Sequence, residues 1–485
     1  MLHYTGHPLI DAGIAALTIM AGRRDPAELT EEDLRRAADE LRDSLYVEQD
    51  PVTGWYRQGP LKNEPLGWVY PGSAFTNPAY NDEKWKANPQ KVSEDLQNYS
   101  NHTLYAFQEK PLEGAPRSLR KRAASEAPYG AAGCSFCGRP AQWLVSRAQV
   151  PLLSGFYINF GPNGALGVPI CGYCLLAVHA LPFGGMVVRG RRMMVVHCDD
   201  AALMQQLVKE RVADARRAAQ LVHQAGAAWP VLEWPRTRLV EALRQIERAA
   251  PGSLRGTVTL YLFTNDNRGA DLKIDRLTSP ALTFLREAEH EAPHEPGRQA
   301  AWQQAVARGW QQPKQGEEVG ERKNQLYEDL YGLPEGAYKF FRRHIWPIHN
   351  WALAALFLRK VMFMEKERLD LLYDLGRRLA EYALHRRSFY YEFARERSYA
   401  TWRRRLLNAA DEWSRQGRVL ITADEFVRAF VAPPGAEYSD WGLARDIVTL
   451  RMMEFLAQAG ALPAEEEGLL PPEEVLADEE NTDED

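Results

Sequence analysis

The sequence predicts an α+β protein: an N-terminal mixed α/β domain carrying an inserted four-cysteine zinc module, then a C-terminal all-α helical bundle and a disordered acidic tail. Three observations carry this. Four of the five cysteines form two C-x-x-C pairs, Cys134/Cys137 and Cys171/Cys174. Apolar residues recur at helical spacing with few breaks from Tyr338 to about Ala459. Short β-rich runs lie between, the clearest being Thr257–Phe263. A chain of 485 residues is too long for one core. The expected divisions are 1–130 for the N-terminal α/β part, 131–200 for the zinc module and its hairpins, 201–337 for the rest of that domain and a helical connector, 338–463 for the bundle, and 464–485 for the tail.

A two-residue gap lets both thiolates of a pair turn onto one tetrahedral ion, and two such knuckles close a four-cysteine site. Gly138, after the first pair, and Gly172, inside the second, suit tight turns. Disulfides would need a secreted chain, and a redox pair would need only one C-x-x-C in a thioredoxin-like setting. No His, Asp or Glu stands between Cys137 and Cys171. A catalytic zinc keeps an open position with an acid or base at hand, so a closed structural zinc is expected. Cys198 reads as a buried thiol at a strand end, with a lesser alternative in which it replaces one of the four.

The elements follow in order. Pro8 suits a first helical turn, and Ile10, Ile14, Leu17 and Met20 recur at helical spacing over 8–21. Thr30 caps a second helix that runs to about Tyr46. From Asp50 to Asn101 the chain turns to Pro, Gly, Asn and aromatics, as in Phe75-Thr76-Asn77-Pro78. The favoured reading is an ordered loop whose aromatics form a core of their own. The alternative is a surface that reads bases, since Asn matches base edges and aromatics stack or wedge. Trp143–Val145 reads as a strand, and Leu153–Phe160 with Gly164–Ile170 as a hairpin. Met186–Val188 and Met193–Val196 read as strands around an arginine-rich tip. Helices are expected over 201–224, 237–249, 281–290, 299–309 and 321–331, with strands at 257–263 and 272–277. In the bundle one helix is expected to run from Ile348 past Leu384, and a second from Ser388 through Trp413. Thr422-Ala-Asp-Glu425 reads as a capping box, and Trp441–Gln458 as the closing helix.

Composition narrows the function classes. At 45% hydrophobic and 10% aromatic, the chain can bury large cores. No apolar run reaches membrane-spanning length and no signal peptide opens the chain, so a cytoplasmic protein without membrane contact is expected. Eleven acids between Glu465 and Asp485 set the sign of the net charge: the remaining residues carry a formal +5 against the chain's −6. Such a tail is most often solvated, and less often it shields a basic groove. Three basic clusters could meet phosphate: Arg120-Lys121-Arg122, then Arg189, Arg191 and Arg192 at the hairpin tip, then Arg403-Arg404-Arg405. No P-loop, nucleophile elbow, H-E-x-x-H or dinucleotide fingerprint is present. The scattered histidines make no catalytic set, so no enzyme is expected.

The opening Tyr4-Thr5-Gly6-His7-Pro8-Leu9-Ile10-Asp11-Ala12-Gly13, the Phe75-Thr76-Asn77-Pro78 stretch and the doubled C-x-x-C together resemble the CXXC-CXXC family of CRISPR-associated large subunits of type I-B-like systems. The resemblance implies a subunit of a crRNA-guided surveillance complex (Cascade) with backbone, small and crRNA-processing subunits as partners. Such a subunit recognises the protospacer-adjacent motif on target duplex DNA, promotes the R-loop, holds the displaced strand and recruits a separate helicase-nuclease. Pairing with the guide reads the sequence, and the protein reads a short motif and the backbone. Asn63, Asn77 and Asn81 are the candidate motif readers. The resemblance also implies a separately made C-terminal small subunit, for which Met362 or Met364 is the candidate start, although a start there cuts the expected long helix. The competing readings are a zinc-containing nucleic-acid-processing enzyme and a structural scaffold without DNA readout.

Overall fold

The computed structural model describes residues 2–108, 120–121, 133–153, 167–265, 270–292, 294, 296–312, 322–396, 398–431 and 441–461. The acidic tail from 464 and residues 432–440 lie outside these residues. The chain is a mixed α/β protein with a C-terminal helical region, and it divides into two compact units. The first comprises Met1–Arg286 and Trp310–Tyr331; the second comprises Glu287–Gly309 and Gly332–Asp485.

In the first unit a five-stranded sheet runs in the order Asp271–Leu277, Val258–Thr264, Arg192–Cys198, Met186–Val188, Val231–Leu232. Only the last pair is parallel. Arg192–Cys198 is nearly continuously apolar, as a strand covered on both faces must be. The opening helix, Pro8–Met20, is buried from Leu9 to Thr18 and packs against this strand and the helix Ala201–Ala225. It also crosses the helix Gly172–His179 backbone to backbone. A Cβ on Gly13 would lie 1.8 Å from the Ala177 carbonyl oxygen, so only glycine fits there. A smaller antiparallel sheet joins Arg120–Lys121, Trp143–Val145 and Val168–Ile170.

One expectation for this unit needs correction. The stretch 50–101 is not mainly irregular: it contains the helices Asp82–Ala87 and Pro89–Thr103, and Tyr56–Gln58 pairs with Val47–Gln49. Asn88 caps the longer helix, Pro89 opens it, and Val92, Leu96 and Tyr99 make its buried stripe. Thr30 does cap its helix, Glu31–Leu41, through a capping box with Asp33; a π-helical turn then carries the chain over Arg42–Tyr46. Most of the hairpin expected over Leu153–Phe160 and Gly164–Ile170 lies outside the described residues; within them Val168–Ile170 is a strand that pairs with Trp143–Val145.

In the second unit the expected long helix is two. Trp351–Lys360 stops, Val361–Glu365 is not helical, and Lys366–His385 begins anew. Phe363 at φ +54° marks the break, because a left-handed residue cannot continue a right-handed helix. Met362 and Met364 lie in this break, so a chain starting at either keeps Lys366–His385 whole, contrary to the objection from sequence. The helix expected from Ser388 through Trp413 is likewise split into Arg387–Arg395 and Tyr399–Ser414, the second capped by Ser398. The Thr422 capping box with Glu425 and the closing helix Trp441–Gln458 are present. Lys366–His385 packs closely on the closing helix at Gly376, where a Cβ would meet the Arg451 side chain at 2.6 Å.

Candidate metal centre

The first knuckle is a tight turn. The Gly138 amide donates to the Cys134 carbonyl at 2.9 Å, and Gly138 takes φ +76° as the turn requires. The Ser135 amide donates to the Pro169 carbonyl at 3.0 Å, tying this turn to the strand that leads into the second pair. Cys171 is the N-cap of the helix Gly172–His179, and its Sγ accepts from the Cys174 amide at 3.5 Å. Gly172 is required for a reason other than the turn geometry expected. A Cβ there would lie 2.0 Å from the Ala106 carbonyl oxygen, so the glycine lets the chain after the helix Pro89–Thr103 pack against the knuckle.

Cys134, Cys137, Cys171 and Cys174 place their sulfurs within 4.8 Å of one another. The Cys137 and Cys171 sulfurs are 3.5 Å apart. Four thiolates around a tetrahedral zinc at ~2.3 Å sit ~3.8 Å from each other, so this set can hold a metal ion such as zinc. All but Cys137 are buried. Hydrogen bonds from Cys171 and Cys174 hold the Cys134 thiol far below the usual range. The same bonds push Cys171 up to about 12 and Cys174 well above its ordinary value. Cys198 stands apart from this set as a buried strand-end thiol, pushed up to about 11 by burial.

The knuckle helix carries this centre into the core. All of its residues except Tyr173 are buried. At its far end the Tyr46 hydroxyl donates to the His179 carbonyl at 2.6 Å, and the Tyr70 hydroxyl to the Val178 carbonyl at 2.5 Å. The His179 ring, fully buried, meets Tyr70, Tyr46 and Phe75 at centroid distances of 4.9, 5.6 and 6.3 Å. Burial alone pushes its pKa down to about 3, so it is neutral near pH 7. The aromatics of the Asn-rich stretch thus share a core with the knuckle helix instead of forming one of their own.

The opening segment reaches the same place. Asp11 is buried and accepts from the Thr5 amide at 2.6 Å, the Thr5 hydroxyl at 2.8 Å and the Gly6 amide at 2.9 Å, while His197 Nε2 lies 3.2 Å away. Burial pushes the Asp11 carboxyl up, but hydrogen bonds from His197 and Thr5 outweigh it and hold the group below its usual range. His7 meets Phe136, inside the first C-x-x-C, edge-on at 4.9 Å. Sequence reasoning missed His179 and the Asp11–His197 pair. An aspartate in an otherwise apolar helical stretch was the available signal for Asp11.

The proposed nucleic-acid contacts are placed unevenly. Asn63 is exposed on a turn. Asn77 caps the turn Pro78–Tyr80 and Asn81 caps Asp82–Ala87, through hydrogen bonds from Ala79 at 2.9 Å and Lys84 at 3.1 Å. The Lys62–Asp82 ion pair, at 2.8 Å, holds the Asn63 turn beside Asn81. Arg120 and Lys121 lie in a strand, and Arg122 is outside the described residues. At the hairpin tip Arg189 pairs with Glu233 at 2.7 Å and Arg192 with Asp271 at 2.5 Å; Arg191 is exposed in left-handed conformation. Arg403 and Arg404 are exposed, whereas Arg405 pairs with Glu392 and Glu396 at 2.5 and 3.4 Å. Comparison with family models, curated proteins and solved structures gives no match. No helix among the described residues is long and apolar enough to cross a membrane.

Metal analysis of the purified chain should find one equivalent per chain. Cys174→Ser should weaken binding by more than the roughly 10–100-fold typical of losing a supporting hydrogen bond to a ligand, whereas Cys198→Ser should retain the metal. Acid titration tests His179. The unfolded imidazole protonates below about 6.5 and the folded one only near 3, so stability should fall as pH drops through that window, by about 1.4 kcal/mol per unit. His179→Phe, measured by denaturant unfolding in the same buffers, should shed that one-proton slope; an unchanged slope contradicts the assignment.

Proposed function

We propose that this chain is the large subunit of a crRNA-guided type I CRISPR effector complex, acting in the cytoplasm on double-stranded target DNA. In this reading the four cysteines hold a structural zinc in a module inserted in the N-terminal α/β domain. The chain recognises a protospacer-adjacent motif, promotes the R-loop, holds the displaced strand and recruits a separate helicase-nuclease. The observation that carries the reading is spatial. The three segments that bear the family resemblance are far apart in sequence and meet on one helix. Gly13 of the opening segment lies against Ala177, Phe75 packs on His179, and Cys171 and Cys174 begin the same helix. A motif-reading loop held on such a support is preorganised, which lowers the cost of binding.

A zinc-containing nucleic-acid-processing enzyme is less well supported, because four thiolates fill a tetrahedral shell and leave no position for substrate. For Asn77 and Asn81 the side-chain oxygen is used in capping, so the amide NH2 is the group each can offer a base edge. An Asn→Asp change keeps the cap and removes that donor.

The reading is tested by selecting target duplexes with a randomised flanking motif, using the guide complex assembled with and without this chain. The chain should create a preference for a few flanking base pairs. Asn63→Ala, Asn77→Asp or Asn81→Asp should relax it, each recognised base edge being worth about 1–3 kcal/mol. Identical selection with and without the chain overturns motif recognition and favours a scaffold.

A further inference from the structure

The strand Asp271–Leu277 closes one side of the five-stranded sheet, and among the described residues no strand pairs with its outer edge. It runs against Val258–Thr264 along its whole length without a bulge, from Asp271 opposite Thr264 to Leu277 opposite Val258. Natural edges are blunted by proline, by a bulge or by short length, and this one has none of the three. Its backbone groups are therefore offered to another strand. The side chains divide by face. Lys273 and Asp275 lie on the side of the helix Pro235–Ala249, where Arg236 holds the Asp275 carboxylate at 2.5 and 2.8 Å. Leu272, Ile274 and Arg276 lie on the opposite face, in register with Phe263, Tyr261 and Thr259. The opening helix packs on this face further in, where Asp11 meets His197, the partner of Thr259. At the edge Leu272 and Ile274 remain 43% and 52% exposed.

We propose that this edge pairs with the same edge of a second copy of the chain, antiparallel about a two-fold axis at Ile274. Charge complementarity selects both the occupant and the register. A continuous apolar face requires Leu272, Ile274 and Arg276 of one copy to stand opposite the same set in the other. Three two-fold registers meet this condition over most of the strand. Centred on Lys273, the pairing opposes two lysines and sets Asp271 against Asp275. Centred on Asp275, it opposes two buried aspartates. Centred on Ile274, it places each Lys273 opposite an Asp275, Ile274 opposite Ile274 and Leu272 opposite Arg276. Of the three, only that register opposes no like charges, which directly opposite one another are destabilising. Lys273 Nζ already lies 3.9 Å from Asp275 Oδ2 within its own strand. A residue directly opposite stands closer than one two positions along, so a lysine from the second copy can reach the same carboxylate. Leu272 and Ile274 of both copies then form one diagonal apolar row that the pairing removes from water. The inference goes beyond the proposed function and does not rest on it, since it concerns the free chain.

Disulfide trapping in the metal-loaded full chain tests this directly. Ile274→Cys sets one thiol opposite its own copy across the axis, at the Cα separation of about 4.5–5.5 Å that a disulfide spans. Mild oxidation should then give a covalent dimer that the unsubstituted chain does not form. Leu272→Cys alone and Arg276→Cys alone should not crosslink, whereas a mixture of the two should. Sedimentation of the unsubstituted chain should show a monomer–dimer equilibrium. Ile274→Lys opposes two lysines at the axis and should weaken it about tenfold or more. The position is exposed, so the circular dichroism of that variant should match the parent. A chain that stays monomeric at every concentration and gives no Ile274→Cys dimer overturns the proposal. Crosslinking of Leu272→Cys with itself overturns the register, and the charge argument with it. Protection of Asp271–Leu277 from hydrogen exchange that arises only on assembly with other subunits overturns the second copy and assigns the edge to a strand of a different protein. The motif selection above judges the proposed function separately.

Discussion

The first unit depends on how a short buried helix is held at both ends. Gly172–His179 has only eight residues, too few to be stable alone. Its first turn is bound by Cys171 and Cys174, and its last carbonyls accept from the Tyr46 and Tyr70 hydroxyls. Helix ends leave carbonyls without partners, and burying them bare costs free energy. The two tyrosines meet that need, and Tyr70 in doing so ties the Asn-rich stretch to the helix that starts at the cysteine centre. A metal at the four sulfurs would crosslink the two knuckles and lock the helix start. Its influence then extends through the helix to Tyr70 and Phe75, well beyond the loop it closes.

Glycines at the crossings show how little slack this arrangement has. Gly13 admits the Ala177 carbonyl, and Gly172 admits Ala106. Both are backbone approaches, so no side-chain shift can absorb a methyl group at either position. Asp11 gives the opening segment a second fixed point by satisfying the Thr5 and Gly6 amides. The consequence is a loop whose asparagines are presented from a packed base, with Asn77 and Asn81 committed by one atom each to capping.

Much of this was legible from residues alone. The doubled C-x-x-C spacing named all four sulfur donors, and periodicity placed Pro8–Met20, Ala201–Ala225 and Trp441–Gln458 to within a few residues. Other features were hidden for identifiable reasons. The helix Pro89–Thr103 lies in a Pro- and Asn-rich stretch, where Asn88 and Pro89 read as loop texture although they are its cap and first turn. The break at Val361–Glu365 contains neither proline nor glycine; a phenylalanine takes the left-handed position and the Met364 amide closes on the Leu358 carbonyl at 2.9 Å. Gly172 was the right residue for the wrong reason, since a long-range approach leaves no local trace. The carboxylate partners of the arginine clusters left no local trace either: Arg189 pairs with Glu233 and Arg192 with Asp271, both far along the chain.

Through the knuckle helix the cysteine centre and the Asn-rich loop form one mechanical unit. Amide hydrogen exchange of the metal-loaded and chelator-treated chain, followed by peptide, tests it most directly. Removing the metal should raise exchange both in Gly172–His179 and in the stretch from Leu66 to Asn81, while Trp441–Gln458 stays unchanged. Faster exchange confined to the knuckles, with Leu66 to Asn81 as protected as before, would contradict it.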